Sequence, residues 1–344
     1  MAGLSFQASV VELDPVENAT GWGADLVAIP RRRETWFSRF EKTVTSRLYR
    51  FDVQTRQVHR IKGLAGELRG ATLSEDGRRL WLLATFGVQE LDLAAMQIGR
   101  TLRAGVGKYL QHLHALDADR LGLARMGGRS LAVMQVSRWA VVWRLNVAAP
   151  DLICRDGDRY IAYSFFNGSV AFLDAVLKSA APTRVVPLCL TPVVYRDAIF
   201  ALAAEKRPLG RDISTDRIYN LVPKQEIKVF EVATGRQLDR IPIEISFDGL
   251  HGIDGAGRLV VSHDRELLLF DPRRRQVIAG YRIEPRHPIE ATVPRPSSFL
   301  FKLYAVSLVG SFEAVIIPDR NIRELWHVSW LDDAEARGLH ARRL

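Results

Sequence analysis

The sequence predicts an all-β fold, a seven-bladed β-propeller of four-stranded antiparallel blades whose ring is closed by the N-terminal strand. Three observations carry this. An acidic or Gln residue recurs at positions 52, 92, 135, 174, 231 and 271, at intervals of 40, 43, 39, 57 and 40 residues, the period of propeller blades. Each of these residues ends a short strand-like run and is followed by a turn and a second run, from Gln57, Gln97, Ala140, Arg184, Arg236 and Gln276. Two further strands precede each hairpin, clearest in Arg69–Leu73 with Leu80–Thr85 and in Gly252–Ile253 with Leu259–Ser262. Four strands in about 40 residues make one blade.

From the N-terminus, Phe6–Asp14 repeats the strand-then-Asp form, 38 residues ahead of Asp52. It is expected to pair with the last blade, since a ring whose first and last blades stay unpaired exposes two sheet edges. The acids of the column suit Asx turns, in which a carboxylate accepts backbone N–H groups two or three residues on. Thr234-Gly235 marks the tip of one such hairpin. Glu75-Asp76-Gly77, Asp156-Gly157 and Asp254-Gly255 mark the turns between first and second strands. A seventh blade is expected from strands near 298–308, 312–317 and 322–330. The propeller is thus read as one domain over 1–332, with an insertion at 205–226 in blade 5 and a tail at 333–344.

Phe230-Glu231-Val232-Ala233-Thr234-Gly235-Arg236 is close to the D-x-x-T-G hairpin of YVTN-type repeats. Through it the chain resembles the seven-bladed propellers of the YVTN-repeat, virginiamycin B lyase and quinohaemoprotein amine dehydrogenase β-subunit kind. The resemblance is architectural and carries over no catalytic residue. No blade pairs a Gly-His with a terminal Trp-Asp, so the WD40 sequence version is not indicated.

The net charge of +9 comes from 40 Arg and only 8 Lys, the skew of a GC-rich coding sequence, so a nucleic-acid partner is not expected. The longest charge-free run, Tyr160–Leu173, is 14 residues, too short to cross a bilayer, where about 18 are needed. Residues 1–11 show neither the cationic start nor the apolar run of a secretory signal, and the expected location is cytoplasmic. Cys154 and Cys189 match no metal or redox spacing. Motifs for nucleotide hydrolysis, dinucleotide binding, zincin proteolysis and α/β-hydrolase chemistry are absent.

Any site must therefore be dispersed over the connections that enter the innermost strands. His251, His287 and Glu290 are placed at the entries to blades 6 and 7 as an acid/base set with an orienting carboxylate, and Tyr195 as a proton donor at blade 5. Arg69 and Arg196 suit bidentate binding of a carboxylate or phosphate. His112 and His114, at strand alternation, share one face and are assigned to ligand binding. A divalent metal needs three or four ligands where that spacing supplies two, so no metal site is assigned and the cofactor is left open. The expectation is a propeller that binds a small organic molecule at the channel mouth, with lyase, cyclase or isomerase chemistry if it is an enzyme. The alternative is a non-catalytic scaffold that engages a protein partner through the 205–226 loop.

Overall fold

A computed structural model describes residues 4–13, 27–41, 45–66, 68–102, 110–125, 128–177, 183–206, 219–221, 224–286, 305–318 and 323–332. Strand β1 (Leu4–Glu12) opens the chain. Blade 1 holds β2 (Val27–Ile29), β3 (Glu34–Glu41), β4 (Thr45–Asp52) and β5 (Gln57–Ile61). Blade 2 holds β6 (Leu68–Leu73), β7 (Arg79–Ala84), β8 (Gly87–Asp92) and β9 (Gln97–Leu102), and blade 3 holds β10 (Leu110–Ala115), β11 (Arg120–Arg125), β12 (Leu131–Gln135) and β13 (Ala140–Leu145). Blade 4 is built from β14 (Leu152–Asp156), β15 (Arg159–Ser164), β16 (Ser169–Leu173) and the two-residue β17 (Arg184–Val185). In blade 5, β18 (Cys189–Tyr195), β19 (Ala198–Lys206), β21 (Glu226–Glu231) and β22 (Gln237–Pro242) form the sheet, and β20 (Tyr219–Leu221) pairs with the end of β19. Blade 6 holds β23 (Gly249–Ile253), β24 (Leu259–His263), β25 (Glu266–Asp271) and β26 (Gln276–Arg282). Blade 7 joins β27 (Ala305–Gly310), β28 (Glu313–Ile317) and β29 (Glu324–Asp332) to β1.

All seven sheets are antiparallel, six of them as meanders, and in the seventh β1 runs against β29 from Leu4↔Asp332 to Glu12↔Glu324. The N-terminal strand closes the ring. The first strand of each blade lies innermost, with β6 against β10, β18 against β23, and β23 against β27. The buried apolar residues fall into seven clusters, one between each pair of neighbouring blades. Each middle strand is therefore covered on both faces. That is why β7 reads Arg-Leu-Trp-Leu-Leu-Ala and β28 Glu-Ala-Val-Ile-Ile rather than alternating with polar residues.

The acidic column does what its chemistry predicts. Asp52 Oδ1 accepts the Gln54 and Thr55 amides at 2.9 and 3.0 Å, Asp92 Oδ1 those of Ala94 and Ala95, and Asp271 Oδ1 those of Arg273 and Arg274. The Ala95 and Ala94 amides hold the Asp92 carboxyl below its ordinary range. Four residues after the column, the chain turns left-handed at Arg56, Met96, Trp139, Gly235 and Arg275. In blade 3 the column residue is Gln135, which cannot act as a carboxylate. Asp119 reaches across from the β10–β11 turn and takes the Ser137 amide at 2.6 Å and the Gln135 Nε2 at 2.8 Å.

Two boundaries differ from expectation. Blade 4's outer strand, which starts at Arg184 as expected, stops already at Val185, because the Val186 amide turns to the Gly168 carbonyl and Pro187 has no N–H to donate. The 205–226 insertion is flanked by paired strand, with Ala204–Lys206 of β19 opposite Tyr219–Leu221 of β20; residues 207–218 lie outside the described residues. No helix among the described residues is long and apolar enough to cross a membrane.

Candidate functional site

The ring has two unlike ends. At the turn end lie the tight turns between first and second and between third and fourth strands. At the entry end the chain comes into each innermost strand, and there too lie the turns between second and third strands. Four innermost strands carry a register shift near their entry, between Leu68 and Gly70, Leu110 and His112, Leu190 and Val193, and Leu250 and Gly252. The bulged positions include Arg69, Thr191 and His251. Such bulges re-aim side chains and break the regular pairing, so they group polar residues at this end.

His112 and His114 project from one face of β10 with rings stacked 6.1 Å apart at an interplanar angle of 11°. His114 Nε2 donates to the Pro150 carbonyl at 3.1 Å. His112 Nε2 lies 3.7 Å from Asp151 Oδ1, beyond hydrogen-bond distance, and is sealed from solvent without a partner. Asp151, in the connection from β13 to β14, is held by its own blade: its amide bonds the Tyr163 carbonyl at 2.8 Å and its Oδ2 accepts the Phe166 amide at 2.9 Å. Burial pushes the Asp151 carboxyl up to about 6 and lowers His112. Burial, with the neighbouring His112, pushes His114 down to about 4. Both imidazoles are therefore neutral at pH 7.

His251 sits on the bulge of β23, its Nε2 2.8 Å from Ser262 Oγ, and burial pushes it down to about 4. A Ser–His contact can build a nucleophile, but Ser262 is only 2% exposed and no substrate reaches it. The pair fastens β23 to β24. Beside it, Thr191 Oγ1 accepts the Leu250 amide at 3.1 Å and links blade 5 to blade 6.

The structure separates Tyr195 and Arg196 from this group. Tyr195 ends β18 and Arg196 lies in its turn to β19, because Thr191–Asp197 is one innermost strand and its exit turn rather than an entry segment. Arg196 adopts a left-handed φ of 54° and lays its guanidinium 5.1 Å over the Tyr195 ring, with no ion pair to Asp197. Arg69 is half-buried on β6 at the entry end. His287 and Glu290 lie outside the described residues.

Among the described residues, no group of three or more His, Cys, Asp or Glu is placed to hold a metal ion. His114 Nε2 is committed to a carbonyl, leaving His112 and Asp151 as two donors. Cys154 and Cys189 are free thiols that burial pushes up to about 11 and 12, inert at neutral pH.

Sequence reading missed Asp151 and its counterpart Asp248. Asp248 sits directly before β23 as Asp151 does before β14; its amide bonds the Ser262 carbonyl at 2.7 Å and its Oδ2 accepts the Asp264 amide at 2.7 Å. Aligning the blades on their innermost strands would expose the signal: an acid directly precedes Leu68, Leu152 and Gly249.

No protein-family model matches the chain, and no curated protein matches its sequence. Solved structures do. The WD40 domain of Neurospora crassa Pan2 superposes with a TM-score of 0.64 at 12% identity, covering 93% of this chain and 93% of that one. A chain of Kuenenia stuttgartiensis hydrazine synthase gives 0.63 at 13% identity, covering 94% and 97%. The likeness is one of fold. At these identities it assigns no chemistry.

Proposed function

We propose that the ring is a protein-interaction scaffold that receives its partner at the entry end, on the hairpin that blade 5 builds there. The observation that carries this reading is the departure of β19 from the blade pattern: it runs past the sheet to Lys206 and pairs with β20. The likeness to a WD40 domain points the same way. So does the commitment of His114 and His251 to internal hydrogen bonds, which a substrate would have to displace. Phe86, 59% exposed in the β7–β8 turn, and Ile245, 42% exposed before β23, add apolar contact at the same end.

A second reading keeps a small organic molecule at the channel mouth, with Arg69 and His251 as binding groups and lyase, cyclase or isomerase chemistry open to it. The clustering of bulges at one end favours it. One paired experiment separates the two. Replacing residues 207–218 by a short Gly-Ser turn is expected to abolish recovery of a stoichiometric protein partner while His251→Ala leaves it intact. If instead native mass spectrometry finds a small molecule that His251→Ala releases and the loop replacement retains, the scaffold reading fails.

A further inference from the structure

The Asp151 carboxyl stands between two blades. Oδ2 is bonded to the Phe166 amide of its own blade, and Oδ1 faces His112 Nε2 of blade 3 across 3.7 Å. That nitrogen is out of reach of solvent, so no ligand touches it without rearrangement. A proton is the one species small enough to join the pair.

We propose that His112 and Asp151 form a proton-operated latch: uptake of one proton moves the carboxyl from its bond with the β15–β16 turn of blade 4 to a bond with β10 of blade 3. The absence of a hydrogen bond at 3.7 Å fits the Nδ1–H tautomer of neutral His112, in which neither facing atom carries a hydrogen, and one proton added to either atom supplies the donor. The contact then closes to hydrogen-bond distance. If the proton rests on the oxygen, the Phe166 amide loses a charged acceptor and keeps a weaker neutral one; if it rests on nitrogen, the ion pair draws the carboxylate toward β10. Both routes loosen residues 165–167 and fasten 150–151.

The charged and titratable groups around the pair leave it to act alone. His114, stacked on His112, is tied to Pro150 and lends a fixed dipole to the same segment. On the strands packed against β10, the charged groups toward this end are Arg69 on β6 and Arg125, which faces Leu110 from β11; Arg79 on β7 and Arg120 on β11 begin their strands at the turn end. On β14, Cys154 is a free thiol with a raised pKa, and Arg155 and Asp156 lie toward the turn end. Burial is what raises the carboxyl, to about 6, and lowers the imidazole.

Global stability is a poor readout, because the unfolded chain takes its own proton on His112 near the same pH and the two uptakes cancel. Local amide exchange is the direct one. After correction for intrinsic chemistry, the Phe166 amide in the full chain is expected to exchange about 10-fold faster at pH 5 than at pH 7.5, the scale of one charged hydrogen bond made neutral. The Ala95 amide, held by an Asp92 carboxyl that stays below its ordinary range, is expected to show no such step. His112→Gln, whose carboxamide can donate to Oδ1 without taking up a proton, should abolish the Phe166 step, and Asp151→Asn should leave fast exchange at both pH values. Equal protection of Phe166 at both pH values, or a step that persists unchanged in His112→Gln, overturns the latch. If Asp151→Asn fails to fold, His112→Gln decides alone.

Discussion

The turn end and the entry end are made of the same strands and hold together by different means. At the turn end every repeat closes on itself with short polar bonds, and single side chains tie each blade to the next. Tyr160 Oη donates to the Leu116 carbonyl, Trp330 Nε1 to Asp254, and Arg33 reaches Glu313 across the ring closure at 2.6 Å. At the entry end the strands bulge and the imidazoles of His114 and His251 are buried and neutral. Among the described residues, the Asp151 carboxyl there has no Arg or Lys paired with it. The difference teaches where stability is stored and where the fold leaves room for change.

The largest expected effect lies at the turn end. Asp254 is fully buried and accepts the Ala256 and Arg258 amides, the Arg258 guanidinium at 2.6 Å and the Trp330 indole. Asp254→Ala strands a buried guanidinium and should cost about 3–5 kcal/mol in urea unfolding. A loss below about 1 kcal/mol would show that the pair is better solvated than its burial implies.

Glu313 comes next. Burial alone would push its carboxyl up, but hydrogen bonds from His327 and Arg33 and the Arg33 charge hold it below its ordinary value. A carboxyl lowered in the folded state adds stability above the unfolded pKa and loses it as pH falls through the folded one. Glu313→Gln should therefore cost about 1.5–3 kcal/mol at pH 7, the worth of a hydrogen bond to a charged group, and progressively less as the pH falls below about 4. A cost independent of pH between 3 and 7 would remove the charge from the explanation.

The smallest effect is a gain. Arg275 holds a left-handed φ of 57° at the position that Gly235 fills in blade 5. Arg275→Gly relieves a strain of about 1–2 kcal/mol against an entropy cost of about 0.5–1. A rise in thermal midpoint of a few degrees or less is expected, and a fall would mean that the Arg275 bond to Asp239 outweighs the strain.

Legibility in the sequence follows the same division. The column at 52, 92 and 271 could be read because an Asx turn is made by residues two and three positions apart. His112 and His114 could be set on one face because strand alternation is local. Tyr195 and Arg196 were drawn to the wrong end because nothing in Thr191–Asp197 marks where an innermost strand exits. Asp151 escaped notice because its significance depends on a histidine 39 residues earlier, brought opposite by the packing of two blades. The same applies to Asp119, which serves a hairpin 16 residues away because Gln135 cannot serve its own.

The pairing of β1 with β29 also sets an order in time. Leu4 meets Asp332, so a ribosome releases one side of the seventh blade long before the other, with the six other blades made in between. Until then Phe6 and Val10, which end packed against blade 7's apolar cluster, have nothing to cover them. The nascent ring stays an open arc for most of its synthesis.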